Sequence, residues 1–377
     1  MEKEAKKAVL SFKGDKVILG IVIFLTAIST LMVYSTGGKQ VSGHLIHLLA
    51  CYIGLVFCYT VSYRKLAENF SFLMLLFAIF LLVLTLGSRA VRGITLMGRN
   101  VQTFYVIGFF VIIFLCNFIG RRYKRDCQLS DSDMTYLGVV LLGFCGAIAV
   151  LNMSTAIILF ITGLVIFFVG NFKFKHIMRL LGIAVAVVAI LAFVVIKSDN
   201  GNIGRMGTFV NRLEYYFTKD NSNGYGDQMI LSRAAIARSG LSPAGPGKGV
   251  IKNRLPENDT DYAYASLFEE TGLLVGIPVL LSYLVIFYRS WRIAKKSSDS
   301  LGALLAFGIG FWFTCQALVH IGVNCELLPT TGQTLPFISS GGMSLLVSGC
   351  AMGMLLNISK KNAEEEEKED LKKIFYR

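Results

Sequence analysis

The sequence predicts an all-α polytopic membrane protein: ten transmembrane helices, with one long extracytoplasmic loop between spans 7 and 8. Three observations carry that expectation. The 377 residues are 54% hydrophobic and only 16% charged, with a mean hydropathy of +0.61. The apolar residues come in repeated runs of about 18–25, enough to cross a hydrocarbon core of roughly 30 Å, where a soluble domain would alternate apolar and polar faces. Finally, the basic residues are distributed unequally between the two sides that such runs define.

The runs fall at 17–36, 43–62, 70–87, 101–120, 135–151, 154–170, 177–197, 262–287, 301–323 and 335–358. The first follows "MEKEAKKAVLSFKGDK" without a small-residue cleavage site, so it is expected to remain in the membrane. Only a tight turn at "LNMST" separates the fifth from the sixth. With the amino terminus inside, the inside segments hold 24 Lys and Arg and the short outside loops hold 4. That excess puts both termini in the cytoplasm. The net charge of +13 then reflects topology and not a nucleic-acid footprint.

The expected organisation is a cytoplasmic amino terminus (1–16), a membrane domain (17–358) and a cytoplasmic tail (359–377). The tail, "KKNAEEEEKEDLKKIFYR", reads as a solvated mixed-charge end. Eight cysteines are scattered with no CxxC pair, and four histidines form no metal spacing, so no metal ligands are assigned.

The long loop, 198–261, contains an amphipathic piece, "DQMILSRAAIARSG", and a backbone-shaping turn, "SPAGPGKG". Nine basic residues lie along it: Lys197, Arg205, Arg212, Lys219, Arg233, Arg238, Lys248, Lys252 and Arg254. A positive outer surface suits an anionic, membrane-anchored substrate such as a lipid pyrophosphate. From charge alone, a solvated face attracted to headgroups is the simpler reading. The loop runs into "LPENDTDYAYASLFEETGLLVG", which carries Glu257, Asp259, Asp261, Glu269 and Glu270. Asp259, Thr260 or Asp261 is suited to cap the eighth span. Glu269 and Glu270 lie two turns further in, where a carboxylate is costly unless paired or wet, and so points to function or to a neighbouring Arg.

These residues resemble the SEDS family (shape, elongation, division and sporulation). "LPENDTDYAYASLFEETGLL" is similar to its LPE-x-x-T-D-F…E-E-x-G stretch, and "GVNCELLPTTGQTLPFISSGGMSLL" to its GVN…P-x-T-G-x-x-LPF-x-S-x-GGSS. "NMSTAIILF", the opening "KGDKVILGIVIFLTAISTLMVYST" and "GPGKGVIKNRLP" match further family motifs in order. The resemblance covers nearly the whole chain and fits the division-type branch best.

The resemblance implies a peptidoglycan glycosyltransferase of the bacterial cytoplasmic (inner) membrane, polymerising lipid II in septal cell-wall synthesis. By motif position Asp261 is the catalytic acid, acting as general base on the acceptor's 4-hydroxyl. Arg205, Arg212, Lys248 and Lys252 are expected to hold the leaving pyrophosphate. Gln228 and Ser232 in the amphipathic piece, Glu257 and Thr260 beside Asp261, and Glu269 and Glu270 behind it are expected at the substrate. So are Thr331, Gln333, Ser339, Gly341 and Gly342 before the last span. The implied partners are a class B penicillin-binding protein transpeptidase and other divisome proteins. A divalent cation on the pyrophosphate is chemically sensible, yet the sequence offers no dedicated cage, so the cofactor stays open.

Three departures stand out. The family's Trp, Glu and Lys around span four are Gly93, Tyr105 and Gly108, with Arg92, Arg99 and Gln102 nearby. The loop Lys of "GGLFGKGPG" is Ala244, and Met343 replaces a Ser. Two alternatives therefore accompany the polymerase: a lipid II flippase lined by the acids, and a catalytically inactive divisome scaffold.

Overall fold

The computed structural model describes residues 12–35, 41–88, 94–96, 99–124, 129–197, 212–219, 226–240 and 243–375. Its helices are α1 (Lys16–Ser35), α2 (Val41–Thr60), α3 (Tyr63–Gly87), α4 (Phe104–Lys124), α5 (Asp131–Leu151), α6 (Met153–Val169) and α7 (Phe174–Lys197). There follow α8 (residues 212–218), α9 (Asp227–Ser239), α10 (Ala263–Thr271), α11 (Leu273–Lys296), α12 (Ser300–Asn324) and α13 (Gly342–Phe375). Among the described residues, eight are long and apolar enough to cross a membrane: α1 to α5 and α11 to α13. Helix α6 is apolar but only 17 residues long. This is a multi-pass membrane protein.

Helices α4, α12 and α13 are mostly buried and form the centre, while α3 turns most of its surface outward. The tightest joint is between α2 and α13. A Cβ on Gly349 would stand 2.1 Å from the Cys51 carbonyl oxygen, and one on Gly353 2.2 Å from that of Leu55. Four residues apart on one helix face, these glycines let two backbones touch where apolar burial offers no drive against lipid. The "LNMST" turn is as tight as expected: Asn152 alone separates α5 from α6, and its Oδ1 caps α6 by accepting the Thr155 N–H at 3.2 Å.

Several expectations need correction. An antiparallel hairpin, β1 (Ile94–Leu96) with β2 (Arg99–Val101), precedes α4, so the fold is not wholly helical. The eighth run is not one span. It breaks at Gly272 (φ +63), whose N–H closes α10 on the Phe268 carbonyl at 2.8 Å before α11 starts. A side chain there would meet the Gly240 carbonyl oxygen at 2.9 Å. The tenth run is helical only from Gly342; residues 325–341 form an irregular segment with Leu335, Phe337 and Ile338 buried.

The tail is solvated, as expected, but it is helical and tied to its neighbours. Helix α13 runs on to Phe375, and its acids pair with Lys13 (Glu367, 2.9 Å), Lys296 (Glu366, 2.8 Å) and Arg64 (Glu365, 3.8 Å). On the same face Asp299 accepts from the Tyr63 hydroxyl (2.6 Å) and the Arg64 guanidinium (3.1 Å). Burial pushes that carboxyl up, but these donors outweigh it and hold it below its usual range.

Gly353→Val is expected to cost about 1–3 kcal/mol and to lower the midpoint of thermal unfolding in detergent. Gly20→Val, in open space on α1, should stay within about 0.5 kcal/mol of the wild type.

Candidate active site

The acids of "LPENDTDYAYASLFEETG" separate into two groups with different surroundings. Glu269 and Glu270 end the nine-residue α10 and are each 1% exposed. The Glu269 carboxylate accepts three main-chain amides: Val250 and Ile251 (both 2.9 Å) on Oε1 and Lys252 (2.8 Å) on Oε2. Glu270 accepts the Gly247 N–H at 3.0 Å and pairs with the Lys252 ammonium. Lys252 is itself 1% exposed, and its Nζ also donates to the Ser35 hydroxyl (2.8 Å) and carbonyl (3.1 Å) at the end of α1. Gly245 and Gly247, at φ +91 and +77, supply the left-handed backbone that wraps "SPAGPGKG" round the carboxylates. A buried charge persists when paired and hydrogen-bonded, and both acids are.

Asp261 lies one turn before α10 and is 6% exposed. The main chain of residues 259–261 is held from two distant segments. The Asn324 side chain, at the end of α12, donates to the Asp261 carbonyl (3.1 Å) and accepts the Ala265 N–H (2.9 Å). The Ser339 hydroxyl donates to the Thr260 carbonyl at 2.8 Å. Ser340 donates through its hydroxyl to the Asp259 carboxylate (2.6 Å) and through its N–H to the Asp259 carbonyl (2.9 Å).

The capping expectation fails here. Helix α10 is preceded by Tyr262 without any side-chain cap, and Asp259 turns to Ser340 instead. Behind this turn His320, 1% exposed, sits between the Gln333 carbonyl (2.7 Å from Nδ1) and the Tyr264 N–H (3.4 Å from Nε2). A carbonyl only accepts, so Nδ1 carries the proton and the ring is neutral.

The other expected residues are dispersed. Ser232 donates to the Asn324 carbonyl (2.9 Å), and the Gln228 side-chain oxygen accepts from the Tyr262 hydroxyl (3.2 Å), so both brace the cradle from α9. Gln333 donates to the Thr155 hydroxyl at 2.6 Å. Glu257, exposed and at φ +55, accepts from the Thr260 hydroxyl (2.7 Å) and forms the turn into Asp261. The Thr331 hydroxyl is buried with no hydrogen-bond partner. A Cβ on Gly342 would stand 2.7 Å from the His47 ring, whereas Gly341 has ordinary clearance of 3.6 Å.

Of the four expected cations, Lys248 is exposed and Arg212 donates to the Thr330 carbonyl at 3.4 Å. Lys252 is enclosed by Glu270 and Ser35, away from solvent, and Arg205 lies outside the described residues. Sequence reasoning missed Asn324, His320 and Ser340. A buried amide at the end of a long apolar helix, inside the quoted "GVN", was the available signal.

The family model for a cell cycle protein, FtsW/RodA/SpoVE, matches residues 9–364. The chain belongs to that family. It is 30% identical to a protein of Trichlorobacter lovleyi named as a probable peptidoglycan glycosyltransferase FtsW, over 92% of this chain and 93% of that one. It is 29% identical to stage V sporulation protein E of Bacillus subtilis, over 92% and 97%. A solved structure from work on polymerization and crosslinking by a peptidoglycan synthase complex superposes with a TM-score of 0.74 at 16% identity, covering 93% of this chain and 98% of that one. At that identity the likeness establishes the fold.

Tyr105 and Gly108, the α4 residues that the resemblance sets at a Glu and a Lys position, have well-defined surroundings. The Tyr105 hydroxyl, at the Glu position, accepts from the Thr334 N–H (3.0 Å) and hydroxyl (2.9 Å). A Cβ on Gly108, at the Lys position, would stand 3.5 Å from the Trp312 ring and 3.9 Å from Leu159, so aromatic bulk occupies the room beyond it.

Lys252→Met, which strands a buried Glu270, is expected to destabilise the protein by roughly 3–5 kcal/mol. Adding Glu270→Gln, which keeps an acceptor for the Gly247 amide, should recover a large part of that loss. A double-mutant cycle on thermal unfolding in detergent measures the difference.

Proposed function

We propose that the chain is a peptidoglycan glycosyltransferase that polymerises lipid II during septal wall synthesis, with Asp261 as general base. The observation that carries this reading is the cradle at Asp261: a buried acid at the position that the resemblance marks, in a turn whose carbonyls at Asp261, Thr260 and Asp259 are held by Asn324, Ser339 and Ser340. In the proposed reaction the Asp261 carboxylate takes the proton of the acceptor's 4-hydroxyl. That oxygen bonds to the donor's anomeric carbon as the carbon–oxygen bond to pyrophosphate breaks. The electron pair leaves with the lipid pyrophosphate, whose charge nearby cations offset.

Arg205, Arg212 and Lys248 are the proposed pyrophosphate ligands; Lys252 is better read as part of the scaffold, because Glu270 and Ser35 occupy its ammonium. The reading includes ten spans, residues 198–261 outside, and both termini in the cytoplasm of a bacterium, as the basic-residue asymmetry supports. It also includes a class B penicillin-binding protein as partner, supported by the likeness to a chain from a synthase complex that couples polymerization to crosslinking.

A second reading, an inactive scaffold at the septum, is favoured by one observation. Tyr105 and Gly108 stand where the family's Glu and Lys would be, and their surroundings are built around them.

Lipid II polymerisation by the purified full chain, alone and with its cognate transpeptidase, separates the two. Wild type should make glycan strands and Asp261→Asn at least about 100-fold fewer, the usual scale for a lost general base. Asn324 bonds the carbonyl and not the side chain of Asp261, so the variant should keep its thermal midpoint. No strands from wild type in either setting would sink the polymerase and leave the scaffold.

A further inference from the structure

The membrane face where α1 begins and α11 ends contains a cavity of about 360 Å3 that the proposed reaction does not use. It lies between Lys13–Val17 at the start of α1, the last two turns of α11 and the stretch of α13 around Glu366. Five cations line it, Lys13, Lys16, Arg289, Arg292 and Lys296, against two carboxylates, Asp15 and Glu366.

The pairing is uneven. Asp15 binds Arg289 at 2.6 Å and uses its other oxygen to cap α1 through the Val17 N–H (3.0 Å) and Ile18 N–H (3.2 Å). Glu366 takes Lys296 and Glu367 takes Lys13. Lys16 and Arg292 have no carboxylate partner among the described residues. Two such charges facing one cavity repel each other and raise the local affinity for an anion.

The neighbours say what kind of anion fits. Tyr288 and Trp291, on the same turns of α11, are 51% and 42% exposed and meet edge to face at 6.4 Å. Amphipathic rings on an outward helix face mark headgroup depth. Val17, which lines the cavity, is 44% exposed and continues into the apolar outer face of α1. The cavity therefore offers cations at headgroup depth with an apolar edge directly beside them, the layout of a phosphate carrying acyl chains.

We propose that this cavity binds the headgroup phosphate of an anionic phospholipid, drawn from the leaflet on the side of the chain termini. Lys16 and Arg292 contact the phosphate, and the acyl chains run along the outer face of α1. The site lies on the face opposite to that proposed for polymerisation, so its failure leaves Asp261 chemistry untouched.

The test is native mass spectrometry of the full chain in detergent, titrated with phosphatidylglycerol or phosphatidylcholine. Phosphatidylglycerol should be retained more tightly, and increasingly less so as salt screens the cations. Lys16→Gln with Arg292→Gln should weaken it roughly 25-fold, at about 1 kcal/mol per basic residue. Lys368→Gln with Lys372→Gln, the same charge change on the exposed tail, should not. Both cavity side chains are exposed, so the fold should tolerate their loss, which an unchanged thermal midpoint checks. Equal retention of the two lipids by wild type, or of phosphatidylglycerol by both cavity variant and wild type, would overturn the proposal. Competition by glycerol phosphate at the lipid's own concentration would also overturn it, by showing a soluble-phosphate site.

Discussion

A chain that leaves the helix inside a membrane protein must find a partner for every amide and carbonyl from within, because lipid supplies none. Residues 243–262 and 325–341 do leave it, side by side, and their surroundings are arranged to satisfy them. Glu269 alone takes three amides, Glu270 a fourth, and Lys252 ties the same loop to the end of α1. From the other side Asn324, Ser339 and Ser340 take the carbonyls of Asp261, Thr260 and Asp259. Most polar side chains here therefore serve the backbone. Only against that background does Asp261 stand apart, held by its main chain in the position that the family motif marks.

Much of this was legible in the sequence and the remainder was not, for definite reasons. Run length reports the capacity to cross lipid, so most of the helices and the turn at Asn152 could be read directly. The same measure could not see that the eighth run breaks, since α10 is apolar enough to pass for membrane. The break depends on Gly272 meeting the Gly240 carbonyl, a contact across 32 residues. The irregular stretch before α13 was hidden for the same reason: Leu335, Phe337 and Ile338 are as apolar as a span but are buried in protein. At the site, spacing marked Asp261, Glu269 and Glu270 but could not divide their roles. That division rests on which loop amides fold back onto which carboxylate. Lys252 shows the limit most clearly, a cation in a basic loop that proves to be 1% exposed.

The rebuilt centre of α4 bears on how much of the chemistry a diverged member can keep. Removing one partner of an interior ion pair leaves an orphan charge, whereas removing both leaves only volume to fill. Tyr105 and Trp312 fill it, and Tyr105 does so by gripping Thr334, next to the Gln333 whose carbonyl fixes His320. At this point of the fold Thr334 is held by neutral hydrogen bonds to the Tyr105 hydroxyl.

Geometry and charge play separate parts in the proposed reaction. A general base must be positioned to within a fraction of an ångström before its basicity matters. Around Asp261 the positioning runs through the Asp261 and Thr260 carbonyls, the Asn324 amide and the Ser339 hydroxyl, neutral groups that keep the same charge whether or not the acid holds a proton. Proton uptake therefore need not move the main chain. Charge, by contrast, is assigned in the proposal to loop cations such as the exposed Lys248, while the enclosed Lys252 serves the scaffold. A site built this way can lose individual cations during divergence and give up rate while keeping the reacting geometry.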